Sequence, residues 1–136
     1  IIDTPPSLNI LTLNAYAASD YLIIPMAAEI LSLVGLIQLK ETVEAVRGGV
    51  NPHLEILGIL LTKYNKRTRL AADVLEMAET VAGQTKTTLF QSKIRAGVAA
   101  AEAPAHGENI FAYAPRSNPA RDYKAFIEEV LSRTAK

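Results

Sequence analysis

The sequence predicts an α/β fold, a mostly parallel sheet flanked by helices, incomplete at its N-terminal side. Three observations carry that prediction. Short apolar β-type runs alternate with helical patterns along the chain, which is the signature of strand–helix–strand units. The run Leu54 to Thr62 is almost continuously apolar, as suits a parallel strand covered on both faces. Three candidate strand ends fall at Asp3-Thr4, Pro25-Met26 and Thr62-Lys63-Tyr64-Asn65. All three are expected to share one edge of the sheet, where ligands of such folds bind.

In order, Ile1-Ile2 reads as the end of a strand, and Pro5-Pro6 stops it because neither proline has an N–H for the ladder. The opening Ile-Ile-Asp looks like the tail of a strand begun upstream, so a piece of a longer protein is expected. Ser7 or Asn9 caps a short helix through Ala18. Tyr21 to Pro25 is a short strand, and Glu29 to Arg47 is a helix with Leu36, Leu39, Val43 and Val46 on one face, stopped by Gly48-Gly49. After the Leu54–Thr62 strand, Thr68 caps a helix whose inward face is Leu70, Val74, Met77 or Ala78, and Val81, ended by Gly83. Thr87 to Phe90 is a third strand candidate, and residues 92–116 read as irregular. Ser117 starts a last helix with Ala120, Tyr123, Ile127, Val130 and Leu131 inward, and Tyr113, Tyr123 and Phe126 as its packing.

The 136 residues, 49% hydrophobic and 21% charged, suit a single domain and exclude a disordered charged tail. With no cysteine there is no disulfide, thiolate metal site or cysteine nucleophile. No run approaches the roughly 20 apolar residues of a membrane span. The net charge is zero, but unevenly distributed. Only Lys40 and Arg47 are basic before residue 63, whereas Lys63, Lys66, Arg67, Arg69, Lys86, Lys93 and Arg95 crowd residues 63–95. Such a segment can mark an anionic partner or an ordinary solvated surface.

The strongest local signal is Ile1-Ile2-Asp3-Thr4-Pro5-Pro6-Ser7. An Asp just beyond a buried strand is where a nucleotide-binding α/β protein holds Mg²⁺, usually through water, and Thr-Pro-Pro makes a stiff loop; an Asp that only caps the next turn is the plain alternative. His53 and His106 read as turn residues, and Glu102 has no assignable chemistry.

The stretch from Ile1 to Leu39 resembles the middle of ParA/Soj-type partition ATPases, the deviant-Walker branch of the P-loop NTPases (ParA/MinD superfamily). The resemblance rests on Asp3-Thr4-Pro5-Pro6-Ser7, on Glu29 with Gly35-Leu36, and on Gly58-Ile59-Leu60-Leu61-Thr62-Lys63-Tyr64-Asn65-Lys66-Arg67-Thr68. It continues through Ile94-Arg95, Glu102-Ala103-Pro104-Ala105-His106-Gly107 and Ser117-Asn118-Pro119-Ala120-Arg121-Asp122-Tyr123. Two departures matter. The family's Gly-rich phosphate loop has no counterpart here, since Gly48-Gly49 ends a helix instead of opening one. Where many members carry Pro-Arg-Asn, this chain reads Arg95-Ala96-Gly97.

The resemblance implies that residues 1–136 form one domain, the C-terminal part of such an ATPase, unable to hydrolyse ATP alone. It implies ATP and Mg as ligands of the full-length protein. Asp3 would be the Mg-linked switch aspartate, and Thr4, Pro5 and Pro6 the second switch loop. Asn65 would read the base, with Lys63 or Tyr64 flanking it and the segment Lys93 to Gly97 closing over its other face. It also implies an ATP-bound homodimer, a ParB-like partner protein, and non-specific contact with plasmid or chromosome DNA in a bacterial, nucleoid-associated, cytoplasmic setting. Candidate DNA contacts are Lys66, Arg67, Arg69, Lys86 and Lys93, with Arg116, Arg121 and Lys124 weaker. No membrane partner is expected: the chain end lacks the amphipathic membrane-targeting helix of a MinD-like positioning ATPase, which is one alternative. The other is a truncated, non-catalytic interaction module of the same fold that pairs its free sheet edge with another chain.

Overall fold

The computed structural model describes residues 1–5, 7, 9–27, 29, 31–65, 67–84 and 86–135. The elements in chain order are α1 (Ile10–Ala18), β1 (Tyr21–Ala27), α2 (Leu31–Gly49), β2 (Glu55–Thr62), α3 (Arg69–Gln84), α4 (Val98–Ala105), α5 (Ile110–Tyr113) and α6 (Asn118–Thr134). The expected α/β architecture is present. Strands β1 and β2 are parallel, from Tyr21 opposite Glu55 to Ala27 opposite Thr62. Their carboxyl ends therefore share one edge, as expected for two of the three strand ends.

The helices begin where side-chain caps dictate. Asn9 Oδ1 accepts the Leu11 and Thr12 N–H groups at 3.0 and 3.2 Å. Thr68 Oγ1 accepts Ala71 N–H at 3.2 Å, and Ser117 Oγ accepts Ala120 N–H at 3.3 Å. Asn51 ties two elements together: its side-chain amide donates to the Tyr16 and Ser19 carbonyls. It thereby satisfies the end of α1 from the turn that follows α2.

The core lies on both faces of the sheet. On one face Ile24, Met26, Ile59 and Leu61 meet Ala78 and Ala82 of α3, continuing into Tyr16, Val43, Val46 and Leu54. On the other, Leu60, Phe90 and Ile94 meet Tyr123, Phe126 and Val130 of α6, with Ile23 and Leu57 at the margin. The register slips by one residue, because Leu22 opposes Ile56 while Ile23 opposes Gly58. Leu57 is thus the extra residue of a β-bulge.

Several expectations require correction. Ile1 and Ile2 are exposed and belong to no strand among the described residues. They have no neighbouring ladder there to pair with. Strand β1 runs through Pro25 to Ala27; a proline is tolerated because, among the described residues, β1 carries a partner strand on one side only.

Thr87–Phe90 forms no extended strand. Single parallel bridges join Leu89 to Ile59 and Arg95 to Tyr64. Between them, the Gln91 and Ser92 N–H groups turn away to the Glu129 carboxylate, both at 2.9 Å. Residues 92–116 are not all irregular, since α4 and α5 lie within them. Leu70, Met77, Ile127 and Leu131 are exposed. The smaller Ala71 and Ala78 with Val74 line α3, and Phe126 with Val130 lines α6, because these positions lie closest to the strands. Tyr113 stacks on His106 at 5.1 Å and donates to Glu102 instead of packing α6. Helix α2 starts two residues later than expected and includes Gly48-Gly49. The Leu36 side chain, expected on its inner face, lies outside the described side chains.

Candidate functional site

The site grows from the carboxyl end of β2. After Thr62, Lys63 takes a left-handed backbone, φ 51°. That turn ends the ladder with β1 and carries Tyr64 and Asn65 beyond the sheet edge. Asn65 Oδ1 accepts the Arg67 N–H at 3.2 Å, and the Asn65 carbonyl accepts the Thr68 N–H and hydroxyl at 3.1 and 3.0 Å. This Asx turn leads directly into the Thr68 cap of α3. One acceptor lone pair of the Asn65 amide is engaged, while its NH₂ has no partner among the described residues. The exposed amide can still donate and accept.

A second segment lies alongside. Tyr64 N–H donates to the Ile94 carbonyl at 3.0 Å, and Ala96 N–H donates to the Tyr64 carbonyl at 3.3 Å. Lys93 Nζ sits 5.9 Å from the Tyr64 ring centre, within cation–π range. The structure therefore brings together two stretches that the sequence reading linked, 63–65 and 93–97.

Helix α6 holds the second stretch through contacts that sequence reasoning missed. Asp122 Oδ2 accepts the Arg95 N–H at 3.0 Å and Nε at 2.9 Å, and Oδ1 accepts Nη2 at 2.7 Å. Burial pushes the Asp122 carboxyl up, but the Arg95 side chain and backbone donors outweigh it and hold it below the ordinary carboxylate value. Glu129 behaves alike: burial raises it, and the Ser92, Gln91 and Arg133 donors bring it below. Arg133 donates to the Leu57 and Leu89 carbonyls at 2.9 and 3.0 Å, to Thr88 Oγ1 at 3.0 Å and to Glu129 at 2.7 Å. The Glu129/Arg133 spacing of four was the available signal for that pair; Arg95 and Asp122, 27 residues apart, gave none.

Asp3 and Pro5 are exposed and Thr4 is half-buried. Pro6 lies outside the described residues. No hydrogen bond or ion pair among the described residues engages Asp3. No group of three or more His, Asp or Glu side chains suited to a metal occurs among the described residues. One carboxylate and one hydroxyl fit a Mg²⁺ held mainly by water and phosphate oxygens, not a cage built from side chains.

The basic candidates do not form a single patch. Arg67 and Arg69 are exposed at the start of α3, and Lys86 is exposed just past its other end. Sixteen residues of helix separate them by about 24 Å. Lys93 points back to Tyr64 and to the Gln91 carbonyl. Lys66 lies outside the described residues. No helix among the described residues is long and apolar enough to cross a membrane.

Comparison with known proteins bears on this arrangement. An AAA domain family matches residues 1–56. The chain is 42% identical over 133 residues to the chromosome-partitioning ATPase Soj of Thermus thermophilus, covering 98% of this chain and 52% of that protein. It is 38% identical over 133 residues to the chromosome partitioning protein ParA of Caulobacter vibrioides, covering 98% and 49%. In structure it is similar to cobyrinic acid a,c-diamide synthase from Mycobacterium smegmatis with bound ADP and magnesium. There the TM-score is 0.74 at 30% identity, covering 95% of this chain and 44% of that one. The chain thus spans about half the length of the curated relatives it matches. With the strand edge and the two loops in place, these likenesses support the reading of the chain as similar, over nearly its whole length, to part of the ParA/Soj-type proteins of the ParA/MinD superfamily.

Proposed function

We propose that this chain is the switch- and base-facing part of a partition ATPase, with ATP and Mg²⁺ as its ligands. The observation that carries the reading is identity of 38 to 42% to chromosome-partitioning proteins across 98% of the chain. The placement of 63–65 beside 93–97 beyond the carboxyl end of β2 supports it, since ligands of open α/β sheets bind there.

On this reading Asp3 accepts hydrogen bonds from water on the metal, and Thr4 adds a hydroxyl near it. Bound Mg²⁺ supplies charge neutralisation for the phosphates. Pro5 has no N–H to donate, so its part is to stiffen the loop. The Asn65 amide meets the base edge, and Tyr64, Lys63 and the 93–97 segment border it. Dimerisation, a partner protein and DNA contact belong to the same proposal. Arg67 and Arg69 are its favoured DNA contacts. Basic groups at a helix N-terminus oppose the helix dipole, so their position is unfavourable for α3 alone and suits an anionic partner.

The experiment is ATP hydrolysis and DNA binding by the full-length protein. Asp3→Ala is expected to lower turnover with the fold intact; unchanged turnover removes Asp3 from the site. Arg67→Glu with Arg69→Glu is expected to weaken DNA binding and cut the salt slope by about two, near 0.9 per phosphate contact. An unchanged slope returns these arginines to ordinary surface.

A further inference from the structure

We infer that Asp122 is a positioning residue that presets the 93–97 loop for the nucleotide base and so sets affinity for the base rather than for the phosphates. This rests on the reading of 63–65 and 93–97 as the base-facing edge. The Asp122 carboxylate spends both oxygens on one residue of the loop, fixing the Arg95 backbone N–H as well as its guanidinium. Its side chain is 13% exposed and that of Arg95 39%, so the carboxylate is sheltered while the guanidinium reaches the surface, and the fork is charge-assisted.

The same helix meets the loop again two residues later. A Cβ on Gly97 would come within 2.7 Å of Pro119 Cγ, so the backbone rests on the first turn of α6 where no side chain fits. Ile94 is buried and anchors the loop on one side. Ala96 and Gly97 are exposed and cover no core. An ion pair with three hydrogen bonds at Arg95 therefore orders a stretch in which Ile94 packs the core while Ala96 and Gly97 bury nothing of their own. Fixing those exposed residues serves preorganisation for a ligand. Because Tyr64 is bonded to the loop on both sides of Arg95, through Ile94 and Ala96, releasing Arg95 also releases the wall beside Asn65.

A loop that is only fractionally in place lowers apparent affinity by that fraction: if occupancy falls to about a tenth, Kd rises about tenfold. The test uses the full-length protein with Mg²⁺ and two probes, ATP carrying a ribose fluorophore and inorganic tripolyphosphate as competitor. Asp122→Ala is expected to weaken the ATP probe about tenfold while the tripolyphosphate constant stays within about twofold. Asp122→Asn, which keeps an oxygen for the Arg95 N–H, is expected to restore part of the loss. An unchanged ATP constant overturns the inference, and so does equal weakening of both probes, which would report a global defect. If Asp122→Ala does not fold, Arg95→Met is read by the same two criteria. If the wild-type protein binds ATP no better than tripolyphosphate, the base-facing reading itself fails and the inference falls with it.

Discussion

Asp122 takes one loop N–H and Glu129 two, each together with an arginine, and these donors hold both carboxyls below the ordinary carboxylate value despite burial. A carboxyl lowered by folding contributes stability that is complete above the unfolded value and lost as pH falls through the folded one. Thermal or denaturant stability is therefore expected to hold above about pH 5 and to fall progressively below about pH 4. Asp122→Asn combined with Glu129→Gln should flatten that fall, as chemical denaturation at stepped pH would show. Gly58 answers to a different constraint. A Cβ there would lie 2.9 Å from Phe90 Cε2 and 2.9 Å from Arg133 Nη1. Gly58→Ala must displace a buried ring or the arginine fork, and is expected to cost about 1–3 kcal/mol of unfolding free energy.

At the scale of elements, α6 completes an interrupted ladder with side chains. The Phe90 and Ile94 N–H groups donate to the Ile59 and Leu61 carbonyls of β2, while the Gln91 and Ser92 N–H groups between them go to Glu129, and Arg133 donates to the Leu57 and Leu89 carbonyls. Glu129→Ala leaves the Gln91 and Ser92 amides and Arg133 without their partner, at a cost of about 1–3 kcal/mol. Hydrogen exchange should quicken at Gln91 and Ser92 while α3 stays protected; uniform protection would show that the helix does not hold this segment.

Much of the element order was legible because it is local. Asn9, Thr68 and Ser117 announce their helices within three residues, and the apolar run of β2 announces burial. The third strand was legible in part: Thr87–Phe90 lies parallel to β2 and bonds to Ile59 through Thr88 and Phe90, but it does not extend because the next donors, Gln91 and Ser92, are claimed by residue 129. The pairing of Arg95 with Asp122 left no local mark for the same reason. Asp3, Asn65 and Lys63 were legible as candidates through resemblance. Their chemistry is not legible in spacing, since exposed polar residues at strand ends serve turns as readily as ligands, and Asn65 visibly serves a turn.

Across the whole molecule, exposed apolar side chains include a group in the first thirteen residues. Ile1, Ile2, Ile10, Leu11 and Leu13 are exposed, and β1 has no second partner strand among the described residues. Exposed apolar side chains and an open strand edge favour association. Expressed as these 136 residues, the chain is expected to bind a hydrophobic dye and to self-associate in light scattering. A monodisperse, dye-silent monomer would show that this surface is covered within the chain.

The bulge at Leu57 has an arithmetic consequence for how the sequence can vary. In an unbroken strand Glu55, Leu57, Ile59 and Leu61 would share a face. The extra residue switches the parity, so Ile56 lies with Ile59 and Leu61 under α3, while Leu57 falls with Leu60 on the α6 side. Glu55, whose side chain is exposed, is thereby spared the face of Ile59. Removing Leu57 would leave Ile56, Gly58 and Ile59 as consecutive residues of a regular strand opposite Leu22, Ile23 and Ile24, with Ile56 and Ile59 still on one face. An extra residue between Ile59 and Leu60 would instead exchange the α3 and α6 faces along one half of the strand: deletion of Leu57 is expected to keep the fold at reduced stability, and that insertion is not, as chemical denaturation of the two variants would show.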